Sequence, residues 1–237
     1  MTCGVQVLDW RDRAPRAQLP RTKKRAPRSK IRGGATVLRD PRTVEGVTIH
    51  QTAVIFGARA KHKAKALLAG DRSLAVAYRV AEDVPAHAVA LDGRVVLRSP
   101  LRAYLYHANK LSGPTLGLEV EGAYSGLLDD PATVVDEAER TTWGDASRLT
   151  TLSKSRIDSA AAGLEELVRL GRADGMPLRI VYAHRQSSAS RRSDPGEAIW
   201  RALRPVWLDL GLVEAERFAI GGGRPLPAGW GPYSGRY

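Results

Sequence analysis

The sequence predicts an α/β domain in which helices cover a β-sheet, set behind a basic arm. Three observations carry this. Two short apolar runs, Gly46-Val-Thr-Ile-His50-Gln-Thr-Ala and Arg179-Ile-Val-Tyr-Ala-His184, have strand composition, and turn-forming residues follow the second. Between them Ile157, Ala160, Ala161, Leu164, Leu167 and Val168 follow i, i+3, i+4 spacing, which predicts one amphipathic helix from Ser153 to the glycines at 171 and 175. The charge is lopsided: residues 1–40 hold eleven Lys/Arg against three Asp/Glu, a net +8 out of +12 for the chain.

Taken in order, residues 1–36 read as a basic extended arm. From Arg11 to Arg32 the chain has Pro15, Pro20 and Pro27 and almost no large apolar residue, a composition that cannot bury a core. A solvated arm is the bland expectation, and attraction of residues 11–32 to an anionic polymer, whether a wall polymer, lipid headgroups or nucleic acid, the functional one. No aromatics are interleaved with these charges and no DNA-binding motif accompanies them, which argues against specific nucleic-acid recognition.

Residues 37–212 read as the globular domain. Gly57 to Gly70 is rich in helix formers and predicts a first helix, with His62 a bystander among lysines on its wet face. Two β-rich runs flank Asp92-Gly93, a hairpin with a type I′ turn, and His87 at its start reads as a packed residue. In Leu116-Gly-Leu-Glu119-Val-Glu121 the period of two sends Leu116, Leu118 and Val120 one way and both glutamates the other. Residues 123–152 read as a long surface excursion. After Asp194-Pro-Gly, Glu197 to Leu203 reads as a helix with Trp200 in the core, and residues 213–237 as an irregular Gly/Pro-rich tail.

The totals bound the chemistry. A chain of 237 residues suffices for one sizeable core plus extensions. No apolar run reaches transmembrane length, and the N-terminus lacks a basic segment followed by a long apolar one. The expectation is a protein cytoplasmic as synthesised, which either stays there or leaves by a route that needs no signal peptide. Cys3 is the sole cysteine, so any metal must be held by His and carboxylate.

His184 ends one strand, and Asp194 follows ten residues later just before Pro195-Gly196, where a loop can fold back. His50 ends the other strand. Zinc accepts this mixture of nitrogen and oxygen donors, and a catalytic zinc takes three protein ligands and leaves a position open for water. A lone His at a strand end more often caps or packs.

Five ordered pieces reach further: Val-Thr-Ile-His50-Gln-Thr; Pro85-Ala-His87-Ala-Val-Ala-Leu-Asp-Gly93; Tyr106-His107-Ala-Asn109; Thr115-Leu-Gly-Leu-Glu119-Val-Glu-Gly122; and His184 through Gly196. In these the chain resembles the zinc-dependent N-acetylmuramoyl-L-alanine amidases of type 2, over about residues 44–210. The resemblance implies a central mixed β-sheet flanked by helices. It implies a Zn²⁺ site of His50, His184 and Asp194, with Glu119 rather than Glu121 as general base. Peptidoglycan or muropeptide would be the substrate, cut between N-acetylmuramic acid and L-alanine. His107 and Asn109 would contact substrate. Many members place a Tyr before His87; here Ala86 stands there, a pairing with Glu119 that the recycling members share. Where much of the family has a catalytic Lys, this chain has Arg192, which keeps the charge but gives up a proton less readily. Two alternatives stay open: a peptidoglycan-binding module without catalysis, and nucleic-acid binding through the arm alone.

Overall fold

The computed structural model describes residues 4–12, 30–32, 35–53, 84–126, 150–191 and 193–231. The expected helix at 57–70 with His62, most of the 123–152 excursion, and most of the Arg11–Arg32 segment lie outside the described residues. So does Arg192.

Among the described residues nine strands are formed: β1 (Gln6–Asp9), β2 (Ile31–Arg32), β3 (Ala35–Thr36), β4 (Gly46–Gln51), β5 (Ala88–Leu91), β6 (Arg94–Leu97), β7 (Thr115–Val120), β8 (Ile180–Ala183) and β9 (Val213–Glu214). Seven make one mixed sheet in the order β1-β6-β5-β7-β4-β8-β9, while β2 and β3 pair separately. β4 lies inside the sheet, parallel to β7 on one side and to β8 on the other. Parallel neighbours need long crossovers, and the described helix α1 (Lys154–Ala173) lies in the connection from β7 to β8.

The period of two sorts the sheet faces. Val47, Ile49, Leu116, Leu118, Val120, Val181 and Ala183 join the main core with Ala160, Leu164 and Leu167 of α1. The opposite face of β4 and β7 carries Thr48, His50, Gly117 and Glu119. α1 begins where Ser153 accepts the N–H of Arg156. It ends in a Schellman motif: Gly175, at φ 83°, donates to Arg172 and Met176 donates to Gly171. The second helix among the described residues, α2 (Glu197–Asp209), runs past Leu203 and through Pro205. Its Trp200, Leu203 and Trp207 are buried, and the rings of Trp200 and Trp207 lie 4.7 Å apart. No helix among the described residues is long and apolar enough to cross a membrane.

Several sequence expectations change. β1 lies within the segment read as an arm: it pairs parallel to β6, Val5 packs on the main core, and Leu8 and Trp10 join a satellite cluster with Val84, Ala86, Val89, Leu91 and Val96. Its signal, four apolar residues in six, was masked by the basic run after it. The segment read as an irregular tail supplies β9 and buries Trp230 completely. The Asp92-Gly93 hairpin forms, but only Gly93 has positive φ, 75°, so the type I′ turn, which needs it at both positions, does not. Glu121 lies beyond the end of β7, buried beside Arg156 of α1 at 3.6 Å rather than on the face of Glu119.

Trp207→Ala is expected to cost about 3–5 kcal/mol of stability, because a fully buried indole is lost without collapse of its site. Leu208→Ala, next to it on the wet face, should stay within about 0.5 kcal/mol. Urea unfolding of the two variants checks the pair.

Candidate metal centre

The parallel register fixes the site. His50 pairs with Glu119 across β4 and β7, so both side chains rise from the same face of the sheet. Ile49 pairs with Ala183, which puts His184 beside His50 at the same sheet edge. The two imidazole centroids are 4.5 Å apart. Asp194 returns to them on the loop before α2. His184 Nδ1 is 2.9 Å from Asp194 Oδ2, and the Gln51 backbone N–H donates to Asp194 Oδ1 at 2.9 Å. Donor atoms of His50, His184 and Asp194 all lie within 4.8 Å of one another, and this is the one group of its kind among the described residues.

The proton positions follow from the partners. The Thr115 carbonyl can only accept, so His107 Nε2, 3.3 Å away, carries the proton. His107 Nδ1 is therefore the acceptor in its 3.0 Å contact with His50 Nε2, and His50 donates. His50 Nδ1 is left as a bare lone pair, buried and with no hydrogen-bond partner. A buried acceptor in that condition is costly unless something fills it. Burial holds His50 well below the usual histidine range, with the neighbouring His184 adding to the effect. Burial, and then the Arg39 charge, brings His107 down to about 3. Both rings are neutral at pH 7, as metal ligation requires.

The supporting groups are buried too. The Arg39 guanidinium donates to the carbonyls of Ser112, Gly113, Thr115 and Leu101, pinning the segment that presents Thr115 to His107. Burial brings it down to about 10, so it stays charged at neutral pH. His87 accepts the Gly117 N–H at Nδ1 and donates from Nε2 to the Ala103 carbonyl, the packed role expected of it. The Gln51 side chain donates to the carbonyls of Tyr124 and Ser193 and accepts the Tyr124 N–H, fixing the loop next to Asp194.

The structure thus brings together His50, His184, Asp194 and the half-buried Glu119. It places His107 behind His50, only 5 % exposed, rather than on the cleft wall where substrate contact was expected. Asn109 is exposed, and its side-chain amide donates to the Ser187 carbonyl, bracing the turn after His184. Sequence reasoning missed Arg39, Gln51 and Gly117. Only Gly117 left a signal, a glycine inside a strand, which marks a close approach. A Cβ there would lie 2.8 Å from His107 Nδ1. The residues fit a zinc ion: two histidine nitrogens and one carboxylate, one donor orphaned and buried.

Gly117→Ala should push the His107 ring away from His50 and weaken metal binding at this centre about ten- to a hundredfold, the usual cost of losing a ligand's outer partner. A chelator competition titration measures it.

No family model matches the chain, and no curated protein does. Among solved structures, the chain is similar to the endolysin of Thermus scotoductus bacteriophage Ph2119, at 13% identity and a TM-score of 0.44 over 81% of this chain and 92% of that one. It is also similar to a complex of the peptidoglycan recognition protein ectodomains LCa and LCx bound to tracheal cytotoxin, at 15% identity and a TM-score of 0.46 over 84% of this chain and 95% of that one. The catalytic domain of XlyA is a third, at 14% identity and a TM-score of 0.39 over 87% and 97%.

Proposed function

We propose that the chain is a zinc-dependent hydrolase of the cell wall, cutting the amide between N-acetylmuramic acid and L-alanine in peptidoglycan or muropeptides. The observation that carries the reading is the convergence of His50, His184 and Asp194 within 4.8 Å, with His50 Nδ1 buried and unpartnered. The five ordered motifs supply the substrate class.

Zinc held by these three residues would supply a Lewis acid and draw the pKa of a water towards 7. The chain's own residues do the rest. His107 keeps the proton of His50 on Nε2, so Nδ1 is always available. The Gln51 N–H occupies Oδ1 of Asp194 and leaves Oδ2 towards His184. Glu119, on the same face as His50, accepts a proton from the attacking water and returns it to the departing amine of L-alanine. Arg192, outside the described residues, is assigned the cationic role opposite the oxyanion that develops on the lactyl carbonyl. The basic segment 11–32 is assigned attraction to anionic wall polymer.

On purified peptidoglycan the wild type should release free L-alanine amino termini and hold about one zinc per chain. Asp194→Ala should do neither. Glu119→Ala should keep the zinc and lose cleavage by about 10²- to 10⁴-fold. Zinc uptake by the wild type without any amide cut would leave a wall-binding module and sink the hydrolase reading.

A further inference from the structure

The C-terminal segment follows the metal-bearing strand past its end. After β9, the Ala215 N–H donates to Val181, Ile220 to Gln186 and Arg224 to Arg185, the last two at 2.8 Å. Side chains reach back across the same seam. The Gln186 amide donates to the carbonyls of Ala215 and Phe218. The Arg185 Nε donates to the Pro225 carbonyl at 3.0 Å, and its guanidinium lies 5.3 Å over the ring of Trp230. Trp230 anchors the far end: it is fully buried, 5.7 Å from the ring of Trp200, and its indole N–H donates to the Gly126 carbonyl.

Between these anchors the two backbones touch. A Cβ on Gly223 would sit 2.2 Å from the Gln186 carbonyl oxygen and 2.6 Å from the Ser187 nitrogen, so only glycine allows the approach. The residues gripped, His184–Ser187, are a single 3-10 turn that begins with the ligand His184. On its other side the Ser187 hydroxyl donates to Ala108 at 2.7 Å and Asn109 donates to Ser187 at 3.0 Å. A four-residue turn has too few internal bonds to hold one geometry, and metal affinity depends on ligands held in place by their surroundings.

We propose that residues 215–230 form a clasp that positions His184 for metal binding, with Gly223 and Arg185 its positioning residues. The proposal rests on the metal-centre reading.

The test is zinc affinity by chelator competition on the full chain, with hydrogen exchange followed in the peptide over 183–188 and thermal melting alongside. Gly223→Ala should speed exchange in that peptide and weaken zinc binding about ten- to a hundredfold. Arg185→Ala, should the first variant not fold, must weaken zinc as well, whereas loss of its positive charge alone would tighten it. Leu167→Ala, a core truncation in α1 on the sheet face opposite His50, should lower the melting temperature yet leave zinc affinity within about twofold. Variants of Gly223 and Arg185 that bind zinc like the wild type overturn the clasp, as does a Leu167→Ala variant weakened equally. A wild type that takes up no zinc overturns the metal reading itself, and the clasp with it, before any variant is compared.

Discussion

The parallel pairing of β4 with β7 and β8 is the constraint on which the rest depends. It aligns the C-terminal ends of three strands, so His50 and Glu119 rise from one sheet face and His184, the first residue after β8, emerges beside them on its turn. Strands carry side chains with a fixed period and direction, which makes them more exact supports than loops. The core side of the same strands is Val, Ile and Leu packed against α1, and that packing fixes the register. A slip by one residue would exchange His50 with Ile49 and destroy core and site together.

Behind the site lies a buried polar chain running from Arg39 through the Thr115 carbonyl and His107 to His50. Each member has a defined donor or acceptor role, and the sequence of roles ends in one bare nitrogen. In a low-dielectric interior such a chain is stable only when its members are satisfied. The polarity of the whole chain therefore points to an electrophile beside His50, and a metal ion is the simplest one consistent with a second nitrogen and a carboxylate at the same place.

The periphery contributes more than its composition suggests. β1 extends the sheet on one edge and β9 on the other, and both arise from short stretches flanked by Arg, Gly or Pro. Beyond β9 the chain stays hydrogen-bonded to the turn of His184 and ends in a tryptophan stack with α2. Low hydrophobicity over a segment says that it cannot fold alone; it says nothing about docking against a finished surface.

The sequence by itself determined the α/β class, the strands ending at His50 and His184, the helix opened by Ser153 and the metal-capable set of two histidines and Asp194. These are local signals, periodicity, caps and residue chemistry, that need no knowledge of neighbours. Only the tertiary structure decided that His107 backs His50 instead of facing the cleft, that Glu121 turns to Arg156, and that Arg39, Gln51 and Gly117 support the site. Their partners lie tens of residues away, joined by strand register and close packing, and a hydrogen bond across that distance leaves no periodic trace in the chain.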